Sequence, residues 1–178
     1  EQVRLKLDSV LATSFGYYAV TVGCASLASE LMENCRIKHV FRLGQTVADE
    51  PDVLIDSASL PVASDSTDMV VLVHALSQAT DPHAILREVN RVLIPDGKLI
   101  IIDFNPISLW GIRHLLQGWL DDAPWAGHYY TARRVKDWAS LLGFEQLHHF
   151  KCAHILPFNY QKLISRSHIL SKFSERWL

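Results

Sequence analysis

TDMVVLVHALSQATDPHAILREVNRVLIPDGKLIIIDF, residues 67–104, holds two apolar runs with an amphipathic stretch between them. The runs Met69 to Val73 and Lys98 to Phe104 are rich in Val, Ile and Leu with little polar alternation, which is the pattern of strands buried on both faces. Between them Asp81 is the expected N-cap, Pro82 suits the first helical position, and Ile85, Leu86, Val89, Val92 and Leu93 recur on one face. Pro95-Asp96-Gly97 then turns the chain into the second strand. A strand, a helix and a strand of this kind make a parallel unit.

Working outward, Tyr17 to Val22, Ile37 to Leu43 and Val53 to Ile55 read as further strands, and Val3, Leu7, Val10 and Leu11 give an amphipathic helix over 3–12. A later helix runs from Thr131 as N-cap to Gly143 just past its end, with Val135, Trp138, Leu141 and Leu142 inward. EQLHHFKCAHI, residues 145–155, reads as a last strand. The alternation predicts an α/β fold, a doubly wound and mostly parallel sheet flanked by helices, in one domain over 1–178. Its only long irregular connection runs from Asn105 to Tyr130.

A formal net charge of -2 leaves no basic field for a polyanion, so nucleic acid is not a favoured partner. Three cysteines, Cys24, Cys35 and Cys152, are odd in number and lack CxxC spacing, which suits reduced thiols in a cytoplasmic setting. No apolar run approaches the ~20 residues that span a bilayer, and EQVRLKLDS lacks the apolar stretch of a signal peptide. No membrane association is expected.

In a doubly wound sheet, ligands bind beyond the carboxyl ends of the strands where the strand order reverses. If the first strand is central, Gly23 to Ser26 and His74 to Ser77 flank that crevice. The stretch VTVGCASLASE, residues 20–30, has the strand, glycine and helix layout of a nucleotide-cradling loop, but Gly23 is its single glycine.

Residues 55–106 carry a family resemblance. Asp56, Ser57, Leu60-Pro61-Val62 and Ser66-Thr67-Asp68 precede the fourth strand, and Arg87, Glu88, Arg91, Val92, Leu93, Pro95, Gly97 and Leu99 follow it. This arrangement resembles the class I S-adenosylmethionine-dependent methyltransferases of type 11. With FNPISLWGIRHLL and the later LLGFE, the chain is similar to an uncharacterised bacterial subgroup of that family. The resemblance implies a Rossmann-like fold with S-adenosyl-L-methionine as cofactor. Gly23, Cys24 and Ala25 would lie under its methionine part and Asp56 with Ser57 at the adenine amino group, with Ala58, Val73 and His74 as further cofactor-binding residues. It further implies an N-terminal helix over 1–15, a cofactor-half core over 17–104, an acceptor-side insertion over 105–130, and a C-terminal helix, strand and tail over 131–178.

Departures fall on the cofactor half. Ala25 and Leu27 stand where the family has glycines, Thr21 where an acid often ends the first strand, and Leu43-Gly44-Gln45 leaves the second strand without a carboxylate for the ribose. About a dozen residues between that end and Asp56 are too few for a full helix and strand, so the second helix is shrunken or absent. Forcing a non-glycine to φ > 0 costs roughly 1–2 kcal/mol, and losing a charge-assisted bond to the ribose roughly 1.5–3 kcal/mol. Together these weaken binding by two to four decades at about 1.4 kcal/mol each. Asp49 or Glu50, in the shortened connection, could approach the ribose instead.

Methyl transfer is an in-line displacement on an activated donor, so positioning carries much of the catalysis. His74 is the candidate catalytic base, or it hydrogen-bonds a loop carbonyl. Asn105, Trp110 and Arg113, with Ser108, follow the fifth strand and suit a planar or anionic small-molecule acceptor, although Trp110 could equally pack a helix onto the sheet. Strand alternation puts His148 and His154 about 20 Å apart with His149 on the other face, so no metal site is expected. Arg133 and Arg134 read as a solvated face. A non-catalytic member of the fold, acting as a binding or regulatory module, is the second reading.

Overall fold

The structure is a computed structural model, which describes residues 2–47, 50–55, 59–106 and 128–151. Its elements are α1 (Gln2–Leu11), β1 (Tyr18–Gly23), α2 (Ala25–Leu31), β2 (His39–Gly44), β3 (Val53–Leu54), β4 (Thr67–Val73), α3 (Ala75–Gln78), α4 (Pro82–Val92), β5 (Leu93–Ile102) and α5 (Ala132–Leu141). The five strands form one sheet in the order β3-β2-β1-β4-β5, and every described pairing is parallel. The doubly wound architecture read from the sequence is thus present, with β1 central and the order reversing between β1 and β4.

Two cores sandwich the sheet. On one face Val20, Val22, Val70 and Leu72 pack with Ile85, Leu86, Val89 and Val92 of α4, and Val135 and Trp138 of α5 lie against them. On the other, Ala19, Met69, Val71 and Val73 meet Leu7 and Leu11 of α1 and Ala28 and Leu31 of α2. Burial of both faces explains why β1 and β4 read as continuous apolar runs.

Helix α4 begins as its sequence requires: the Asp81 carboxylate accepts from His83 N at 2.9 Å and Ala84 N at 3.1 Å, and Pro82 occupies the first turn. The Glu88 and Arg91 pair is a clamp. Leu60 N donates to Glu88 Oε2 at 3.0 Å, while Arg91 donates to the carbonyls of Leu60 at 3.0 Å and Val62 at 2.9 Å. These bonds hold the segment before β4 against α4. Asp68 works at the amino end of the sheet, accepting from Tyr17 N and Tyr18 N at 2.9 Å each.

Between β2 and β3 the described residues contain no α-helix, and β3 is two exposed residues long. A parallel crossover needs a dozen or more residues, so residues 45–52 can return the chain only to the end of β2, at Leu43↔Val53 and Gly44↔Leu54. Asp52 fastens the return: Arg42 Nη2 meets its Oδ1 at 2.7 Å and Arg42 N donates to its Oδ2 at 2.8 Å.

Three expectations are corrected. Pro95-Asp96-Gly97 does not separate α4 from a strand beginning at Lys98; β5 starts at Leu93, and the turn is absorbed as a bulge between the pairs Thr67↔Leu93 and Met69↔Lys98, with Asp96 at φ 67. Leu141 is not inward but 84% exposed. At 3.6 residues per turn it sits about 100° off the stripe made by Val135, Trp138 and Leu142. Residues 145–151 are irregular and exposed rather than a strand, and 152–155 lie outside the described residues. His148 and Phe150 stack on each other at 5.8 Å instead of joining the sheet.

Candidate functional site

Register sets the site. Gly23 pairs with Val73, and Val73 with Ile102, so β1, β4 and β5 end level with one another. The ladder runs one residue further: Cys24 N donates to Val73 O at 3.1 Å, and His74 N to Ile102 O at 2.9 Å. Cys24, His74 and Asp103 therefore leave three adjacent strands at the same height, at the switch point of the sheet.

Gly23 has φ 110, and a Cβ there would lie 2.1 Å from Val73 O. Only glycine lets β1 turn into α2 this close to β4. Ala25, by contrast, is the buried first residue of α2 and has no positive φ. The backbone penalty expected at Ala25 does not arise. Cys24, the N-cap, keeps φ -66, and its Sγ lies 3.4 Å from Ser26 Oγ.

At the end of β4 the chain bends sharply. His74 takes the left-handed conformation, φ 55 and ψ 18, and its carbonyl accepts from Ser77 Oγ at 3.0 Å. Its ring stacks on Phe104 with centroids 4.3 Å apart and planes 14° apart. Nδ1 is buried, has no hydrogen-bond partner among the described residues, and faces Asp103 Oδ1 at 3.6 Å. The Asp103 carboxylate is itself held by Phe104 N at 2.8 Å and Ser77 N at 3.2 Å. Residues 128–130 return to this corner: His128 N donates to Ser77 O at 2.8 Å, and the Tyr129 ring lies 5.5 Å from Phe104. Burial, and then the Asp103 charge, push the Tyr129 phenol above its ordinary value.

Of the residues named from the sequence, the fold brings Gly23, Cys24, Ala25, Val73 and His74 to one crevice. Asn105 is half-buried just beyond Asp103 and Phe104. Asp56, Ser57 and Ala58 lie outside the described residues, as do Ser108, Trp110, Arg113 and Asp49. Glu50 is described, exposed, at φ 49 in the short connection after β2. Pro51 covers Gly44, where a Cβ would meet it at 2.9 Å. Asp103 and Tyr129 were not singled out in the sequence. Asp103 had a usable signal, as the first polar residue after a buried parallel strand, equivalent to His74 after β4. Among the described residues no group of three or more His, Cys, Asp or Glu could hold a metal, and no helix is long and apolar enough to cross a membrane.

Residues 15–101 match a family model described as a methyltransferase domain. The uncharacterized protein YafS of Escherichia coli K12 is 40% identical over 158 residues, covering 86% of this chain and 63% of its own length. The demethylmenaquinone methyltransferase of Chlamydia pneumoniae is 37% identical over 51 residues, 29% of this chain and 22% of that protein. The chain thus spans less than two thirds of either relative. An S-adenosylmethionine dependent methyltransferase from Mesorhizobium loti has the same fold at a TM-score of 0.65 and 20% identity, covering 95% of this chain and 91% of that one.

Proposed function

We propose, on the premise that this chain belongs through residues 15–101 to the type 11 methyltransferase domain family, that it binds S-adenosyl-L-methionine and methylates a small-molecule acceptor. The observation that carries the reading is the level exit of Cys24, His74 and Asp103 from β1, β4 and β5 at the switch point. The cofactor, when bound, supplies an electrophilic sulfonium methyl and keeps the electron pair of the broken bond as a thioether.

The residues present fit that group. The turn at Gly23, Cys24 and Ala25 is lined by backbone without strain at Ala25, and would take the methionine part. Asp56 with Ser57 and Ala58 would meet adenine, and Val73 with His74 would flank the methyl. The ribose has no carboxylate at the end of β2, which leaves Glu50 as the described candidate. Phe104 and Tyr129 offer aromatic walls beside the half-buried Asn105 on the acceptor side, and Trp110 and Arg113, outside the described residues, are the further acceptor residues that the sequence suggests. His74 would act as base for an acceptor that must lose a proton. A cytoplasmic location suits the odd cysteine count.

With the strain at Ala25 gone, the missing ribose contact is the departure whose cost can be stated, beside Thr21 and Leu27 where the family has an acid and a glycine. That cost is roughly 1.5–3 kcal/mol, about one to two decades. A micromolar site would become one of about 10–100 μM. Calorimetric titration with S-adenosylmethionine and S-adenosylhomocysteine tests this: a dissociation constant below roughly 100 μM is expected. Absence of heat at millimolar ligand overturns it in favour of a non-catalytic module. That second reading draws on one observation, the apolar and Pro51-covered end of β2.

A further inference from the structure

The His74 ring is restrained more tightly than its own hydrogen bonds explain. Its backbone occupies the left-handed region, where few non-glycine residues sit and where strain collects at functional positions. Phe104 stacks on the ring face at 4.3 Å, so the imidazole can slide in its plane but not tip. The buried Nδ1 faces Asp103 Oδ1 at 3.6 Å without a hydrogen-bond partner among the described residues. Asp103 cannot swing away, because Phe104 N and Ser77 N hold its two oxygens.

We infer that Asp103 is a positioning residue whose carboxylate accepts the Nδ1 proton of His74 and so leaves Nε2 as the basic nitrogen. The gap exceeds a charge-assisted N–H···O distance of about 2.7–2.9 Å by less than one ångström, which a small side-chain rotation closes. Among the described residues Asp103 faces Nδ1, the Tyr129 phenol lies within reach of the Asp103 charge, and Cys24 and His128 stand at the same crevice. A proton leaving the acceptor passes to Nε2 and then to solvent, while Asp103 holds the Nδ1 proton in place.

Such a base selects an acceptor. A phenolic or enolic hydroxyl, near 10, gives up its proton more readily by roughly six decades than an alcohol as weakly acidic as water, at about 15.7. A carboxylate acceptor would need no base. Among oxygen acceptors the class is therefore a phenolic or enolic hydroxyl, which would lie against Phe104 and Tyr129. The acceptor class rests on the methyl-transfer reading, whereas the His74–Asp103 pair does not.

The test uses the full chain, labelled with nitrogen-15 and free of ligand, at a pH where histidines are neutral. Signals of His74 are identified by their loss in His74→Asn, since asparagine tolerates the left-handed backbone. The expected result is an Nδ1-protonated ring favoured about tenfold to hundredfold over the Nε2 form, from one bond to a carboxylate. Asp103→Asn should abolish that preference and Asp103→Glu restore part of it. A wild-type ring protonated mainly on Nε2 overturns the inference, as does an unchanged ratio in Asp103→Asn with the amide spectrum otherwise preserved. If the Nδ1 form prevails while the calorimetry is silent, the pair stands and the transferase reading falls; if cofactor binds while the Nε2 form prevails, the transferase reading stands and the pair falls.

Discussion

Gly23→Ala is the substitution on which the β1 and β4 geometry can be tested most directly. At φ 110 an alanine carries a backbone cost of about 1–2 kcal/mol. Its Cβ would lie 2.1 Å from Val73 O, so β1 and β4 must separate by more than an ångström at this point. That movement strains a packed core by about 1–3 kcal/mol. It also breaks the bond from Cys24 N to Val73 O, worth about 1 kcal/mol. The sum is about 3–6 kcal/mol, a large share of the 5–15 kcal/mol typical of a domain. At about 2–4 °C per kcal/mol, the melting temperature should fall by about 6–24 °C. Gly143→Ala is the matched control, because Gly143 also has positive φ, 91, but nothing lies within 4 Å of its added Cβ. Urea unfolding followed by circular dichroism compares the two. Gly23→Ala losing no more stability than Gly143→Ala would refute the close approach of β1 to β4.

Three further outcomes follow from the same geometry. The Arg91 guanidinium first, and the Leu60 amide with it, hold the Glu88 carboxyl below its ordinary value of 4.5. A carboxyl lowered in the folded state stabilises above its unfolded value and loses that contribution as pH falls, so Glu88→Gln should flatten the loss of stability from about pH 5 downward, read by thermal melts across pH. Because burial and Asp103 raise the Tyr129 phenol, one of the five tyrosines should ionise above the others in an ultraviolet alkaline titration. Asp103→Asn should bring that step down, and an unmoved step would remove Asp103 from the corner. Glu50→Gln should weaken S-adenosylhomocysteine binding about tenfold if Glu50 supplies the ribose contact, measured by calorimetry; an unchanged constant excludes it.

Local chemistry made much of the fold legible. Continuous apolar runs marked β1, β4 and β5, and the Asp81-Pro82 and Thr131 caps marked α4 and α5, because caps and buried strands are decided by neighbouring residues. Leu141 is apolar but exposed, because its helical phase turns it from the core, and apolarity alone does not carry that phase. Residues 145–151 alternate like a strand, yet a strand needs a partner, and pairing is not written in alternation. The site divided in the same way. Gly23 and His74 could be read from strand ends, whereas the corner made by Asp103, Phe104 and Tyr129 depends on residues 128–130 returning across a long connection. The left-handed backbone of His74 left no local mark.

The two sides of the sheet differ in how tightly they are specified, and this explains where the chain departs from the methyltransferase pattern it resembles. A one-residue slip of β4 against β1 or β5 would turn Val70 and Leu72 out of one core and Met69, Val71 and Val73 out of the other. The register that levels Cys24, His74 and Asp103 is therefore protected by burial far from the crevice. Strand β3 has no such protection, since both of its residues are exposed and its pairing is secured by the Arg42–Asp52 pair at the surface. Connections on that side can shorten, and a helix can vanish, at little cost to the core. What they change is the half of the crevice that would hold the sugar, while the half that would hold the reacting groups keeps the alignment that β1, β4 and β5 impose.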